Sequence, residues 1–255
     1  MADWYQEDLA YIHDVGHADF ALRSAPGILE LLRENGIPGG LVYLGCGSGL
    51  WARELLRAGY RVLGIDISGA MVEIARQKAP GAEFRVGSLF EAEIPPCDAV
   101  TAVSEVLNYL FDPENEDRGL DRVFRRVYEA LRPGGVFVFD VLGPGQVPGG
   151  RTKGFSEGPD WAVLNEKTED PERGTLTRRI VSFRKVGEHY RRDGELHRVR
   201  LYDPEEVEDR IGRVGFEVKT MDAYGDHPLG ENHAAFVARR PRRALGFGSE
   251  GRAGV

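Results

Sequence analysis

The chain has 255 residues, enough to build one sizeable hydrophobic core, alone or with an inserted subdomain. Its formal net charge of −8 argues against nucleic acid as the main partner, because binding to phosphates requires a basic surface. The chain contains two cysteines, Cys46 and Cys97, which form neither a disulfide framework nor a cluster of zinc ligands, so we predict no metal site.

The first residues are acidic and lack the basic segment and apolar run of a secretion signal. No stretch of about 18 consecutive apolar residues occurs, so we expect no membrane partner. Together with the sparse cysteines, these features predict a cytoplasmic location.

Helices and strands alternate along the first 141 residues. Apolar residues at three- and four-residue spacing predict helices, which cover residues 4–14, 17–35, 50–58, 68–78 and 120–131. Short apolar runs predict buried strands, which cover residues 41–44, 60–65, 82–86, 98–103 and 136–141. This alternation indicates βαβ units and a parallel sheet with helices on both faces, which is an α/β fold.

The alternation stops after the strand that ends at residue 141. The glycine-rich segment 143–158 is predicted to be a loop. Three β-like segments follow and belong to an antiparallel insertion over residues 151–200, namely 161–168, 175–184 and 188–200. Regular order resumes with a helix over 203–213 and strands over 216–221 and 234–239, and residues 241–255 are predicted to be a flexible tail.

The first predicted strand ends in a glycine turn, Leu44-Gly45-Cys46-Gly47-Ser48-Gly49, that opens a helix. Glycines let the backbone approach a ligand, and the free amides at a helix start favour a polar or anionic group. A dinucleotide fingerprint would require glycine where this chain has Leu50. By itself the motif is equally well explained as a tight turn.

Asp66 follows the next predicted strand, 21 residues after Gly45. A carboxylate at this place can accept hydrogen bonds from both hydroxyls of a ribose. The alternative is a helix N-cap, because Asp and Ser are favoured there. Combined with the glycine turn at this separation, the pattern favours a nucleoside-binding site.

The glycine turn, Asp66-Ile67-Ser68 with Met71 and Ala75, and Leu131-Arg132-Pro133-Gly134-Gly135 together resemble the class I S-adenosylmethionine-dependent methyltransferases. The resemblance covers about residues 7–239. It implies a Rossmann-like seven-stranded sheet in the order 3-2-1-4-5-7-6, with only strand 7 antiparallel. It also implies one methyltransferase domain over 1–240, which includes an N-terminal helical lid over 1–38 and the β insertion.

The resemblance implies S-adenosyl-L-methionine as the cofactor and S-adenosyl-L-homocysteine as its product. Gly45, Cys46 and Gly47 would contact the methionine part, while Asp66 would bind the ribose. The residues implied around the adenine, the methyl group and the lid are Ile67, Met71, Ser88, Leu89, Ser104 and Tyr11. Ser88 is a departure, because the family commonly has Asp there to bind the adenine amino group.

No spacing in the sequence selects a catalytic residue. A general base helps when the nucleophile carries a proton of high pKa. The candidate bases are His13, His17, Glu105, His189, His197, His227 and His233.

The insertion is the segment from which substrate preference should be inferred. Residues 175–200 contain eight Arg or Lys against three Asp or Glu, a net of +5 in an acidic protein. This charge favours a lid that attracts an anionic substrate. The competing explanations are a solvated sheet face, an edge protected by charge, or a homodimer contact.

The sequence therefore predicts transfer of a methyl group to an N or O atom of a small molecule. Two alternatives stay open. One is a non-catalytic S-adenosylmethionine-binding protein, to which Ser88 points. The other is a nucleotide-cofactor oxidoreductase, against which Leu50 and the lack of a Tyr-x-x-x-Lys motif argue.

Overall fold

The computed structural model describes residues 4–115 and 119–242, so the predicted tail lies outside the described residues from position 243 onward. Its helices are Glu7–Gly16 (α1), Asp19–Glu34 (α2), Leu50–Arg57 (α3), Gly69–Lys78 (α4), Gly119–Ala130 (α5) and Pro204–Val214 (α6). Within the described residues, no helix combines the length and the apolar character needed to cross a bilayer.

The strands form one large and two smaller sheets. In chain order they are Gly40–Leu44 (β1), Arg61–Asp66 (β2), Glu83–Val86 (β3), Cys97–Ala102 (β4), Leu131–Leu142 (β5), Arg151–Gly158 (β6), Trp161–Asp170 (β7), Thr175–Val186 (β8), His189–Arg200 (β9), Glu217–Met221 (β10), Ala223–Tyr224 (β11), His227–Pro228 (β12) and His233–Arg239 (β13). The central sheet has the order β10-β13-β5-β4-β1-β2-β3, and β13 is antiparallel to both of its neighbours. The predicted strand order and the antiparallel last strand are confirmed.

The middle strands of the central sheet are buried on both faces, which explains why they read as apolar runs, whereas the edge strands β3 and β10 are largely exposed. β4 is buried throughout, and apolar clusters pack on either side of the sheet beneath the helices. Because β1, β2 and β4 are parallel and in close register, their carboxyl ends meet at one edge. Ligands bind at this edge in open α/β sheets.

The insertion is a four-stranded antiparallel sheet in the order β6-β7-β8-β9. The loop predicted over residues 143–158 is therefore wrong for its second half, because 151–158 forms β6 and pairs with β7 from Gly158↔Trp161 to Arg151↔Thr168. Glycines weaken the strand signal in a sequence, but an edge strand tolerates them. Gly158 also leaves room for the Trp161 ring, which a Cβ at that position would meet.

The N-terminal helices and the insertion pack against each other. Asp8 of α1 forms ion pairs with Arg184 and Arg191 of the insertion, at 3.0 and 2.5 Å. On its other side, α1 is joined to α4 through the Asp14–Lys78 ion pair. These contacts place the helical lid and the inserted sheet together over the carboxyl edge of the central sheet.

Candidate functional site

A cavity of about 630 Å³ lies at the carboxyl edge of the central sheet. Its walls come from the turn after β1, the ends of β2 and β4, the lid and the insertion. The volume is within the usual range for small-molecule sites. Of the predicted cofactor-binding residues, the cavity is lined by Gly45, Cys46, Gly47, Asp66, Ile67, Met71, Leu89 and Ser104.

The glycine turn is held in a conformation that suits glycine. The amides of Gly45 and Cys46 both donate to the carbonyl of Ile65, at 2.8 and 3.0 Å. Gly45 has φ +67°, and a Cβ there would lie 2.5 Å from Val106. Gly47 has φ +51°, and a Cβ there would meet no atom within 4 Å. Gly45 is therefore required by packing, whereas Gly47 presents bare backbone to the cavity.

Asp66 is fixed at the end of β2 by two backbone amides. Its Oδ2 accepts from the amide of Gly47 at 2.8 Å and its Oδ1 from that of Ser68 at 2.9 Å. Burial raises the pKa of this carboxyl, and the two hydrogen bonds offset part of the rise. Each oxygen keeps one lone pair for a further donor, and the described residues offer Asp66 no cationic partner. The arrangement suits a neutral diol such as ribose.

Ser88 lies outside the cavity lining. Its hydroxyl accepts from the amide of Phe90 at 3.0 Å, which fixes the turn after β3. The neighbouring Leu89 and Phe90 line the cavity instead. Ser88, which departs from the family pattern, therefore uses its side chain in a local turn contact.

Tyr11 also lies outside this cavity, on another face of α1. Its hydroxyl donates to Asp160 at 2.8 Å, and the Arg184 guanidinium lies 3.9 Å from the centre of its ring. The lid residues that line the cavity include Leu9 and His13, one helical turn apart. The four-residue spacing of Leu9 and His13 was the sequence signal for the face of α1 that lines the cavity. Tyr11 lies between them and points to another face.

Tyr5 precedes α1 and lines the cavity, which the sequence did not indicate. Its amide and that of Gln6 donate to the Glu195 carboxylate at 2.7 and 3.0 Å. Its carbonyl accepts from the hydroxyl of Ser68 at 2.8 Å. Because Ser68 caps α4 through the amide of Met71, the segment before α1 is tied to both the insertion and α4.

A strained turn follows β4, where Ser104 and Glu105 both have positive φ, +71° and +56°. Their amides donate to the fully buried carboxylate of Asp140, at 2.9 and 2.6 Å. Tyr224 and His233 also contact Asp140, at 3.0 and 2.9 Å. Left-handed backbone at residues other than glycine persists only where its surroundings fix it, as Asp140 does here. An acidic residue inside the apolar strand 136–141 was the signal in the sequence.

Glu105 forms a bidentate ion pair with Arg178 of the insertion. Arg178 Nη1 donates to Glu105 Oε1, and Arg178 Nη2 donates to Glu105 Oε2 at 2.7 Å. The two side chains are only 16% and 13% exposed. Burial opposes the charge on Arg178, but Glu105 outweighs it and the pKa of the guanidinium is raised. Arg178 also donates to the hydroxyl of Tyr109, which lies 3.0 Å from that of Tyr5. The pair therefore joins the central sheet to the insertion across the cavity.

Four of the predicted base candidates line the cavity, namely His13, His17, Glu105 and His197. The other three, His189, His227 and His233, lie outside the lining. Burial lowers the pKa of His13 to about 4, helped by the neighbouring His17, so His13 is neutral at physiological pH. His197 is buried and its Nε2 lies 2.6 Å from the Glu195 carboxylate. Across the described parts of the chain, no cluster of His, Cys, Asp and Glu could hold a metal ion.

The thiol of Cys46 lies in the glycine turn and is buried. Burial raises its pKa well above the ordinary range, and the nearby Asp66 raises it further. A protonated thiol is a poor nucleophile. Cys46 therefore contributes shape to the turn.

Comparison with known proteins agrees with this geometry. A family model described as a methyltransferase domain matches residues 42–135, from β1 to the start of β5. The protein YqeM of Bacillus subtilis (strain 168), named as a methyltransferase, is 25% identical over 221 residues, which are 81% of this chain and 86% of YqeM. Several other curated relatives are matched over only about two fifths of their own length.

Two solved structures share the whole architecture. An S-adenosylmethionine-dependent methyltransferase from Clostridium acetobutylicum ATCC 824 superposes with a TM-score of 0.78 at 20% identity, over 93% of this chain and 99% of that one. The sugar N-methyltransferase KedS8 from Streptoalloteichus sp ATCC 53650 gives 0.75 at 20% identity, over 95% and 94%. At such identities these matches establish the fold. Domain match and fold agree: residues 42–135 match a methyltransferase domain, and the chain has the fold of the S-adenosylmethionine-dependent methyltransferase on which it superposes.

Proposed function

We propose that this protein transfers a methyl group from S-adenosyl-L-methionine to an N or O atom of a small molecule. The observation that carries the proposal is Asp66, a half-buried carboxylate with spare lone pairs beside a glycine turn that opens onto the cavity. A nucleoside with a zwitterionic amino-acid end matches both features, since the ribose needs acceptors and the other end needs exposed amides.

The cavity residues are suited to hold this cofactor. Asp66 would accept the ribose hydroxyls, and the bare backbone at Gly47 would lie against the methionine end. Ile67, Met71 and Leu89 line the cavity beside Asp66 and offer an apolar slot for the adenine. When bound, the sulfonium supplies an electrophilic methyl group and its own leaving group.

The chain's own contribution is alignment and exclusion of water. Methyl transfer is an in-line displacement, so holding the two reactants in place supplies much of the rate. The lid and the insertion close the cavity opposite the glycine turn, and the Glu105–Arg178 pair connects the two walls. We assign no catalytic base: His13 stays neutral down to about pH 4, and the same low pKa makes it a weak proton acceptor.

Calorimetric titration with S-adenosylmethionine, S-adenosylhomocysteine and NAD tests the cofactor. We expect the parent to bind the first two, and the Asp66→Ala variant to bind them at least about 30-fold more weakly, because hydrogen bonds to a charged group are lost. Asp209→Ala, at an exposed position on α6, is the matched control and should bind as the parent does. Equal binding by parent and Asp66→Ala, or no binding by the parent, would contradict the proposal.

The same titration, together with a methyl-release assay, separates the alternatives. Preferential binding of NAD would favour the oxidoreductase. S-adenosylmethionine binding without methyl release over a panel of small-molecule amines, alcohols and acids would favour the non-catalytic binder.

The partner and location predictions need measurements of their own. A homodimer is tested by measuring the molar mass in solution by light scattering. Nucleic-acid binding is tested by titration at physiological salt. A cytoplasmic location is tested by cell fractionation.

A further inference from the structure

The inner face of the insertion brings two cations to the cavity. Lys167 on β7 and Arg178 on β8 are register partners, and both line the cavity. Like charges directly opposite each other on adjacent strands destabilise a sheet. Their placement therefore needs a compensating negative charge.

Arg178 forms an ion pair with such a charge, whereas Lys167 forms none among the described residues. Glu105 holds Arg178 through both carboxylate oxygens, so that carboxylate is already used. The Lys167 ammonium forms no hydrogen bond or ion pair with any residue in 4–115 or 119–242. Burial lowers the pKa of its ammonium and the nearby Arg178 lowers it further, while the Glu105 carboxylate, which is bound to Arg178, offsets part of the fall. A half-buried cation is costly to leave without a partner.

Two neighbouring polar atoms also lack partners. The Nε of Arg178 and the Oδ1 of Asn165 are buried, and neither has a hydrogen-bond partner. Asn165 lies two residues before Lys167 on the same face of β7, and it too lines the cavity. Buried polar atoms are nearly always paired, so a group of them beside an unpaired ammonium indicates a polar ligand.

The other charged groups of the lining are accounted for. Asp66 belongs to the glycine turn, and Asp112 accepts from the amide of Glu114 at 3.0 Å. Lys153 lies on the exposed edge strand β6 and is 3.7 Å from Glu166. Lys167 is therefore the charge in this lining without a counterpart among the described residues.

We propose that Lys167, next to Arg178 and Asn165, forms a subsite for an oxyanion of the methyl acceptor, a carboxylate or a phosphate. The ammonium supplies the main attraction and the Arg178 Nε–H supplies a directional donor, while the Asn165 Oδ1 accepts from a hydroxyl or protonated oxygen of the same ligand. Assigning the oxyanion to the methyl acceptor rests on the proposed function. The subsite itself rests on the unpaired groups.

Anion titration of the full chain tests the subsite. Thermal unfolding is followed against sodium phosphate and, separately, sodium succinate at constant ionic strength, with and without S-adenosylhomocysteine. We expect a saturable rise in the midpoint temperature for the parent with at least one anion, and a half-saturating concentration at least tenfold higher for Lys167→Met. Lys185→Met, an exposed lysine on β8 outside the cavity lining, is the control and should respond as the parent does. The arm that saturates at lower concentration distinguishes phosphate from carboxylate.

The anion-free proteins give a second readout. Removing an unpaired, half-buried charge should raise the midpoint of Lys167→Met by about 2 °C, whereas a structural lysine would lower it on removal. The proposal is overturned if Lys167→Met responds to both anions as the parent does, or if the parent shows no saturable response. Loss of S-adenosylhomocysteine binding with a Lys167-dependent anion response would sink the proposed function and leave the subsite intact, so the two failures are distinguishable.

Discussion

The two walls of the cavity are built differently. The wall at the central sheet consists of backbone and one carboxylate, all within the β1–β2 segment, and the amides of Gly45, Cys46 and Gly47 fix it. The opposite wall consists of side chains from the lid and the insertion, and an ion pair between residues 105 and 178 connects it to the sheet. The first wall is fixed by backbone contacts within one segment, whereas the second depends on side chains from segments that lie far apart in the chain.

Breaking the ion pair should have the largest effect on stability. Arg178→Met leaves the Glu105 carboxylate buried without its partner, and we expect a loss of about 3 kcal/mol in the free energy of unfolding. The double variant Glu105→Gln/Arg178→Met should recover much of this loss, because the uncompensated charge is removed. Urea denaturation measures both, and additive losses would show that the pair does not couple the two walls.

The glycine turn gives a contrast between two neighbouring positions. Gly45→Ala places an alanine in a left-handed backbone conformation and introduces a Cβ that meets Val106. We therefore expect a loss of about 2 to 3 kcal/mol in unfolding free energy. Gly47→Ala has the same backbone penalty but open space, so about 1 kcal/mol is expected. Its larger effect should be on S-adenosylmethionine affinity, since the added methyl enters the cavity. Equal stability losses with unchanged affinity would show that Gly47 does not face the ligand.

His13 gives the cavity a measurable pH dependence. Its pKa lies near 6.5 in the unfolded chain and about 4 in the folded one, so the unfolded state binds the extra proton between these values. Stability contributed by neutral His13 is therefore complete above pH 6.5 and falls as the pH drops toward 4, by at most about 3 kcal/mol. His13→Gln should flatten this part of the stability profile, whereas His189→Gln, at an exposed position, should not.

The sequence was sufficient wherever the determining residues are close together in the chain. The parallel sheet, the glycine turn and the place of Asp66 all follow from βαβ segments whose period is visible locally, whereas the strand order was implied by the resemblance to a known family. The contact between Glu105 and Arg178 left no trace, because it depends on how the insertion folds over the sheet. Likewise, the pairing of Lys167 with Arg178 depends on the register of β7 and β8, which a strand pattern does not fix. The prediction for Tyr11 placed the right helix near the cavity but chose a residue on another face.

The hydrogen bonds of Tyr5 give the molecule a mechanical property. One short segment is bonded to Glu195 in the insertion and to Ser68 at the start of α4. If the inserted sheet swings outward to admit a molecule, it must either release that segment or pull it along. In the second case the motion is transmitted to the helix that begins beside Asp66, so the insertion side of the cavity and the Asp66 side would move together.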